Sequence, residues 1–380
     1  MKPIFVAGYM IRYPLGGQIA AHLQYVLGLA RMGYDVFFVE NAGWENACFD
    51  PRQGVSGDDP ATGADIIAGL FRRHGLDGRW TFVDVHGSVS GAPRDTIARL
   101  APEAPLISLS DVTWLPEFEK CPVRVYIDED PAFPQIGLAG GDSDLRAVMD
   151  RYTVHATYGE SIGKPGCLLP TCGMDWVPTR QPIVLDLWEN QAPPGERWTT
   201  LMNWTSYANV TLDGVEYGQK DVEFRRVIDL PRRTWQSLEV AINAPENVQK
   251  TLRDNGWAVT DAVAASRSLD SYGEYIAGSR GEFSVAKEAY VKTRSGWFSD
   301  RSAAYLASGR PVVLQDTGFA DHLPTGDGLF QFSDAASAVD ALARCASDLR
   351  HHASAAKAVA TEHLRHDLVL RRLLDKAGIE

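Results

Sequence analysis

The sequence predicts an α/β protein made of two Rossmann-like, doubly wound domains that face each other across a cleft. Three observations lead to this fold class. The chain has 380 residues, of which 45% are hydrophobic, enough for two domains that each bury a core. The first forty residues contain the pattern of a strand, a glycine-bearing loop, a helix and a second strand. A proline-rich polar stretch then separates two regions in which strand and helix signals alternate.

The predicted first domain spans residues 1–175. Its first strand covers residues 3–8, and a loop over 9–17 leads into a helix with apolar side chains at Ile19, Leu23, Val26, Leu27 and Ala30. Gly33 is a typical residue for the end of this helix. Further predicted strands cover residues 35–40, 80–85, 106–110, 123–127 and 153–158. Their spacing predicts a parallel sheet.

The interdomain linker is predicted at residues 176–197, where prolines interrupt a polar sequence. A second domain follows over residues 198–350, with strands predicted at 198–204, 237–242, 281–285, 310–314 and 329–332. A helix is expected over 335–346, with Ser333 or Asp334 as its cap. Residues 351–380 are predicted to form helices that close the chain.

Charge and composition exclude several classes of function. The chain carries 49 acidic and 37 basic side chains, a formal net charge of −12, which disfavours binding to nucleic acid or to anionic membranes. No apolar run approaches the length of a membrane span, and the apolar N-terminal stretch is too short for a signal peptide, so we expect a cytoplasmic protein. The five cysteines include no CxxC pair, which argues against a disulfide scaffold and a structural zinc site.

The loop before the first helix is the first candidate binding element. Gly16 and Gly17 would let a ligand approach the backbone closely, and the helix start favours anionic or oxygen-rich groups. The dinucleotide fingerprint GxGxxG does not occur after the first strand. A tight turn without a ligand is the alternative.

A denser group of candidates lies between residues 294 and 319. Ser299 or Asp300 would cap a short helix, and the strand after Pro311 leads into a loop at Thr317 and Gly318. The helix start and this loop could form two anion sites at one sheet edge, which suits a diphosphate. The candidate donor-binding residues here are Ser299, Arg301, Ser302, Thr317, Gly318 and Phe319. An ordinary cap and loop with solvated arginines is the alternative.

Two stretches carry a resemblance to a known family. The first is the GG loop, helix and Gly33 before the second strand; the second is Leu306-Ala-Ser-Gly-Arg-Pro-Val-Val313, followed by Thr317-Gly318. In both, the chain resembles the GT-B glycosyltransferases, the two-Rossmann-domain class that includes glycogen-synthase-like and natural-product sugar transferases. That resemblance implies a C-terminal helix that returns to the first domain.

The resemblance also implies roles for particular residues. Gly16 and Gly17 would lie near the transferred sugar and its phosphates. Lys220, which follows the first strand of the second domain, would contact the diphosphate, although a solvated surface lysine is equally consistent with the sequence. The loop Thr317-Gly318-Phe319 would hold the sugar or the β-phosphate through backbone N–H groups.

The chain also departs from this family. Retaining members carry two glutamates eight positions apart, where this chain has Gly296 and Ala304, and a histidine where it has Asp128-Glu129-Asp130. Clustered carboxylates at the end of a parallel strand raise one another's pKa, so we predict Asp128 and Asp130 as catalytic bases. A metal-binding role for this triplet belongs to a different glycosyltransferase fold, and no metal is predicted.

The sequence therefore predicts a metal-independent glycosyltransferase without a resident cofactor. A nucleotide diphosphate sugar would be the donor and co-substrate, and the acceptor would be a hydroxyl of a small molecule or glycan. The predicted partners include neither nucleic acid nor an integral membrane segment. Two alternatives remain open: a nucleotide-sugar epimerase on the same architecture, and a non-catalytic sugar-binding protein.

Overall fold

The computed structural model describes residues 1–190 and 192–380. In this part of the chain the first half forms one eight-stranded sheet with the order β10-β9-β8-β7-β1-β2-β5-β6 and a separate hairpin, β3-β4. The strands are β1 Pro3–Ala7, β2 Asp35–Asn41, β3 Cys48–Asp50, β4 Val55–Gly57, β5 Trp80–Val83, β6 Val89–Gly91, β7 Leu106–Leu109, β8 Arg124–Asp128, β9 Val154–Thr157 and β10 Trp176–Pro178. All pairs in the large sheet are parallel except β5 with β6.

Helices connect these strands and cover the sheet. They are α1 Gly16–Arg31, α2 Ala61–Arg73, α3 Arg94–Leu100, α4 Phe133–Ala139 and α5 Ser143–Met149, with 3₁₀ turns at Pro116–Lys120 and Leu185–Trp188. α1 ends where Gly33 adopts a φ of +94°, a conformation that glycine takes at low cost. Ile4, Phe5 and Val6 of β1 are fully buried, as expected of a central parallel strand covered on both faces.

The second half forms a six-stranded parallel sheet with the order β15-β14-β11-β16-β17-β18 and a hairpin, β12-β13. Its strands are β11 Arg197–Asn203, β12 Val210–Leu212, β13 Val215–Tyr217, β14 Ser237–Asn243, β15 Ala258–Asp261, β16 Gly281–Ser284, β17 Val312–Gln315 and β18 Leu329–Phe332. Its helices are α6 Lys220–Arg226, α7 Glu246–Asp254, α8 Ala262–Ala265, α9 Leu269–Ala277, α10 Glu288–Thr293, α11 Asp300–Ala307, α12 Ala335–Ser347 and α13 Leu349–Val359, with 3₁₀ turns at Leu230–Arg232 and Phe319–Asp321.

The end of the chain crosses back to the first domain. A π-helical turn at Ala360–Leu364 follows α13, and α14, His366–Ala377, comes after it. Leu370, Leu373 and Leu374 of α14 belong to the hydrophobic core of the first domain. The predicted fold class is confirmed, including the returning C-terminal helix.

Three strands, β6, β10 and β15, extend the sheets beyond the sequence prediction, and β6 pairs antiparallel with β5. β15 was not predicted, because its four residues end in the polar pair Thr260-Asp261. β10 lies inside the stretch predicted as linker and pairs with β9, so the first sheet continues to Pro178. Among residues 1–190 and 192–380, no helix has the length and apolar character needed to cross a membrane.

Candidate functional site

A cleft of about 260 Å³ lies between the two domains. In the second sheet the chain runs from β11 outward to β14 and β15, then continues on the other side with β16, so the strand order reverses between β11 and β16. Leu201, Met202 and Asn203, at the carboxyl end of β11, line the cleft. Open α/β sheets bind ligands at such a reversal point, outside the carboxyl ends of their strands.

Three of the predicted donor-binding residues line this same cleft: Gly17, Lys220 and Arg301. Gly17 comes from the first domain, and the other two come from the second. Asp300, at the start of α11, lies beside them. The structure therefore brings together residues that are separated by up to 284 positions in the sequence.

The paired glycines at the start of α1 form a contact between the domains. The backbone N–H of Gly16 donates to the carbonyl of Ser266 at 2.6 Å. A Cβ atom on Gly16 would lie 2.1 Å from the carbonyl oxygen of Ser268, whereas one on Gly17 would lie 3.6 Å from the ring of Tyr272. Gly16 is therefore required by close packing of the second domain, and Gly17 faces the cleft.

Glu40, at the end of β2, organises the loop that precedes α1. Its buried carboxylate accepts hydrogen bonds from the backbone N–H groups of Met10, Ile11 and Arg12, each at 2.7 Å. The side chain of Arg12 in turn donates to the carbonyl of Ala42 at 2.9 Å. Burial raises the pKa of Glu40 to about 7, against the opposing effect of these hydrogen bonds. The loop at the cleft is thus held by a residue outside every sequence motif.

Lys220 is the cationic side chain of the cleft that is left without a strong partner. Arg301 and Lys287 pair with Glu282 and Asp130, whereas the ammonium of Lys220 makes no ion pair within the described part of the chain. Burial, with the positive charges of Arg301 and Lys287 nearby, lowers its pKa to about 7. A bound anion in the cleft would offset the free-energy cost of keeping the Lys220 ammonium charged at this buried position.

Arg301 is committed to the interior of the second domain. It donates from Nε to Glu282 Oε1 at 2.6 Å, from one terminal nitrogen to the carbonyl of Leu201 at 2.7 Å, and from the other to Ser284 Oγ at 2.6 Å. Burial acts against its charge, but the carboxylate of Glu282 raises the pKa of Arg301 above the ordinary value. A diphosphate contact would have to use the N–H groups that remain.

The other predicted donor-binding residues lie deeper. Ser302 is fully buried on α11, and Ser299 is 1% exposed. Thr317 is fully buried and donates to the carbonyl of Trp297 at 2.6 Å, while Phe319 packs against Phe298 in the core. The N–H of Gly318, with a φ of +91°, already donates to Asp316 at 2.8 Å. These contacts hold the loop together and do not by themselves form an anion site.

The two positions that depart from the family pattern are closed to glutamate. Gly296 has a φ of +79°, and a Cβ atom there would lie 2.7 Å from the backbone nitrogen of Ser161 in the first domain. Ala304 is 2% exposed in the hydrophobic core. Small residues at both positions follow from close packing.

Asp128 is a structural carboxylate in this geometry. It is 1% exposed, and it accepts hydrogen bonds from Gln135 Nε2 at 2.9 Å, Thr157 Oγ1 at 2.8 Å and the backbone of Asp130 at 3.1 Å. Burial raises its pKa to about 7. Because its carboxylate oxygens already accept these hydrogen bonds and are enclosed, the geometry does not support the predicted role of Asp128 as a base. Asp128 instead holds the loop after β8.

Asp130 joins the two domains. Its carboxylate lies 2.7 Å from the Nζ of Lys287 and accepts hydrogen bonds from the hydroxyls of Tyr207 and Tyr290. The Lys287 ammonium lies 4.2 Å from the ring centroid of Tyr207 and 4.9 Å from that of Phe133. Burial favours the neutral acid, but Lys287 lowers the pKa of Asp130. A carboxylate held in this way is a poor proton acceptor, which also weighs against its predicted role as a base.

Glu129 is the middle carboxylate of the triplet and is half-buried. One oxygen accepts from Ser110 Oγ at 2.8 Å, and its backbone carbonyl accepts from Trp297 Nε1 of the second domain at 3.2 Å. Burial raises its pKa to about 8, and the nearby charges of Asp300 and Asp130 add to this effect. Of the three carboxylates, Glu129 is the one that is both partly exposed and has a raised pKa, since Asp128 is buried and the pKa of Asp130 is lowered.

A larger cavity of about 730 Å³ lies between α1, α9 and residues 186–190. Its walls are largely apolar, and none of the predicted site residues lines it. It therefore does not compete with the cleft as the place where the predicted chemistry would occur.

Sequence reasoning missed Glu40 and Lys287. Glu40 ends a predicted parallel strand, so the rule that ligands bind at carboxyl ends could have drawn attention to it. Lys287 follows the predicted strand over residues 281–285 in the same way. Their partners are distant in sequence, and spacing alone does not reveal them.

The comparison with known proteins supports the fold. No protein-family model and no curated protein matches the sequence. Solved structures do match the full length of the chain: AviGT4, a glycosyltransferase involved in avilamycin A biosynthesis, at 11% identity and a TM-score of 0.58, covers 100% of this chain and 97% of its own. HepE from Anabaena, in complex with UDP, matches at 11% identity and 0.58, with 100% of both chains covered.

A third similar structure is an α-glucosyltransferase in complex with UDP and a mismatched 13-mer DNA, at 9% identity and a TM-score of 0.60 over 100% of both chains. These three proteins share two facing Rossmann-like domains with this chain. The protein therefore has the GT-B fold, the fold class of these glycosyltransferases.

Proposed function

We propose that the protein is a glycosyltransferase that binds a nucleoside diphosphate sugar in the interdomain cleft and transfers the sugar to a hydroxyl group, without a metal ion or a resident cofactor. The observation that carries this proposal is Lys220, a lysine without an ion-pair partner within the described residues, in a cleft at the reversal point of the second sheet. The acceptor class is a small molecule or glycan.

The donor proposal is supported by charge and by the neighbours. Lys220 is a basic side chain of the cleft without an ion-pair partner among the described residues, in a chain whose net charge is −12. HepE and the α-glucosyltransferase were both solved with UDP, which makes a uridine diphosphate sugar the first donor to test. Lys220 would neutralise the diphosphate as it leaves, so its charge matters most in the transition state.

We further propose that Glu129 accepts the proton of the attacking hydroxyl. It lies at the carboxyl end of β8, near Asp300 of the cleft, and it keeps one oxygen free of the Ser110 bond. Asp128 and Asp130 then have supporting roles: the first fixes the loop and the second ties it to Lys287. Transfer would increase with pH as Glu129 loses its proton near pH 8.

Titration calorimetry with nucleoside diphosphates tests the donor site. Lys220→Ala should weaken UDP binding by about tenfold to a hundredfold, since a charge-assisted hydrogen bond contributes about 1.5–3 kcal/mol. Lys250→Ala is the matched control, because Lys250 is an exposed lysine of the same domain, paired with Asp254. Binding that is equal in wild type and Lys220→Ala, or absent with every nucleoside diphosphate, would rule out the proposed donor site.

Product analysis tests the reaction. With donor and an acceptor mixture, the protein should produce a new glycoside, and Glu129→Gln should reduce this transfer while leaving UDP affinity unchanged. Epimerised donor formed without any acceptor would instead identify the epimerase. Sugar binding with neither product would identify the non-catalytic alternative.

A further inference from the structure

A cluster of potential metal ligands lies at the outer edge of the second domain, apart from the cleft. Asp327 comes just before the edge strand β18, and His351 and His352 lie in the first turn of α13. One carboxylate oxygen and one ring nitrogen of each histidine all lie within 4.8 Å of one another. We propose that Asp327, His351 and His352 form a binding site for a divalent transition-metal cation, with Zn²⁺ as the preferred ion.

The distances suit such an ion. The Nε2 of His351 lies 3.0 Å from Asp327 Oδ1, and the Nδ1 of His352 lies 3.6 Å from the same oxygen. Zinc binds nitrogen and oxygen at about 2.0–2.1 Å, which places the ligand atoms of a tetrahedral site roughly 3.3 Å apart. His351 and Asp327 are exposed and can adjust by small side-chain rotations, whereas His352 is 7% exposed and fixed.

The backbone holds the carboxylate in place. Asp327 stands between Gly326 and Gly328, whose φ angles are +106° and +72°. A Cβ atom on Gly328 would lie 2.3 Å from the backbone nitrogen of Ala356, so this turn packs directly against α13. The position of Asp327 relative to the two histidines is therefore set by backbone packing.

The Nδ1 atom of His352 lies on the side of the ring that faces Asp327. The N–H of Gly328 points at this Nδ1 over a long distance of 3.4 Å, so this nitrogen is the unprotonated one. An unprotonated imidazole nitrogen is the atom that ligates zinc, so a bound cation would replace this long hydrogen bond at Nδ1.

Three protein ligands leave one tetrahedral position for water or for a group from another molecule. The ligand set of two imidazoles and one carboxylate favours Zn²⁺ over Mg²⁺ or Ca²⁺, which prefer oxygen ligands alone. Spacing along the chain does not predict this site, because Asp327 lies 24 residues before His351. The proposal is independent of the glycosyltransferase proposal and of the cleft.

The test uses the full, untagged chain after chelator treatment, titrated with Zn²⁺ and separately with Co²⁺, whose absorption spectrum reports ligand type and geometry. We expect one equivalent of Zn²⁺ to bind and raise the melting temperature, and Co²⁺ to give a spectrum without sulfur ligation. Asp327→Asn and His351→Gln, both at exposed positions, should each weaken binding at least tenfold.

His86→Gln is the matched control, since His86 is exposed on the loop before β6 and should leave binding unchanged. Circular dichroism of each variant shows whether the fold is retained. Equal Zn²⁺ affinity in wild type and the Asp327→Asn/His351→Gln double variant overturns the site, as does a Co²⁺ spectrum with thiolate ligation. Mg²⁺ binding as tight as Zn²⁺ binding overturns the assigned ion.

Discussion

The ammonium of Lys287 lies 2.7 Å from the carboxylate of Asp130, and this ion pair joins the two domains beside the cleft. The lysine side chain is 8% exposed and the aspartate side chain 46%, so only one end of the pair is well solvated. Tyr207 and Tyr290 add hydroxyl donors to the same carboxylate. We therefore expect the pair to hold the domains in the closed arrangement that forms the cleft.

A double-mutant cycle measures the strength of this pair. Unfolding by urea of wild type, Lys287→Met, Asp130→Asn and the double variant should give a coupling free energy of about 1–2 kcal/mol, because a half-exposed carboxylate is partly screened. The exposed pair Lys250 and Asp254 on α7 is the control, with an expected coupling below about 0.5 kcal/mol. Equal coupling in the two pairs would contradict a role for Lys287 in holding the domains together.

The paired glycines of α1 should respond differently to the same substitution. Gly16→Ala places a methyl group 2.1 Å from the carbonyl oxygen of Ser268, so the domain contact must shift, at a cost of about 1–3 kcal/mol in unfolding free energy. Gly17→Ala meets Tyr272 only at ordinary contact distance and gains helix propensity, so its stability should be unchanged or up to about 1 kcal/mol higher.

Thermal and urea unfolding of both variants check this difference. Small-angle scattering should also show a larger radius of gyration for Gly16→Ala, because the contact between the domains is weakened. A similar loss of stability in both variants would mean that helix packing within the first domain, and not the approach of Ser268, makes glycine necessary.

The architecture was predictable because its strands and helices follow from local sequence patterns. Apolar runs bounded by glycine and proline define parallel strands, and the helical spacing from Ile19 to Ala30 defines α1. The resemblance to the GT-B glycosyltransferases placed Gly17 and Lys220 near the same donor, and both residues line the cleft.

The details of the site depend on contacts between distant parts of the chain. Gly16 is a glycine because Ser268 approaches it, and Asp130 is held by a lysine 157 positions away. Ser302 and Phe319 face the core instead of the cleft. The spacing of residues in the helix and loop does not show which of the two directions a side chain takes. Such pairings arise only when the two domains meet, so a single sequence does not reveal them.

Binding of nucleoside diphosphates should weaken as the pH rises. Lys220 has a pKa of about 7 in the free protein, and a bound diphosphate raises this value, so binding takes up a proton above pH 7. The dissociation constant should then increase by up to about tenfold per pH unit until the pKa of the complex is reached. Work above about pH 7 avoids protonation of the phosphate itself, whose second pKa is about 6.

Lys220→Arg is the matched variant for this prediction. A guanidinium stays charged at every accessible pH, so the affinity of this variant should vary little over the same range. Calorimetry in buffers of different ionisation enthalpy measures the proton uptake directly. Proton uptake that persists in Lys220→Arg would assign the pH dependence to another group.

Glu129→Gln should stabilise the protein in alkaline solution. The folded pKa of Glu129 is about 8, compared with an ordinary value near 4.5, so the folded state holds a proton that the unfolded state releases. The contribution of Glu129 to stability therefore falls as pH rises from about 4.5 to about 8 and is constant above that. A glutamine side chain still offers an oxygen that accepts the hydrogen bond from Ser110, but it does not ionise. The fall in stability with rising pH that Glu129 causes should therefore be absent in the variant.

Urea unfolding at about pH 5 and about pH 9 checks the effect, with an expected gain of at least about 1 kcal/mol at the higher pH and little change at the lower. Glu103→Gln, at an exposed surface position, is the control and should change neither value. Asp128 and Glu40, both with pKa values of about 7, leave a residual slope of the same sign in the variant. If Glu129 accepts the proton, the variant should be more stable and should also lose transfer, because the carboxylate is then retained at a cost in stability for its role in the reaction. A stabilised variant with full transfer would remove Glu129 from the reaction.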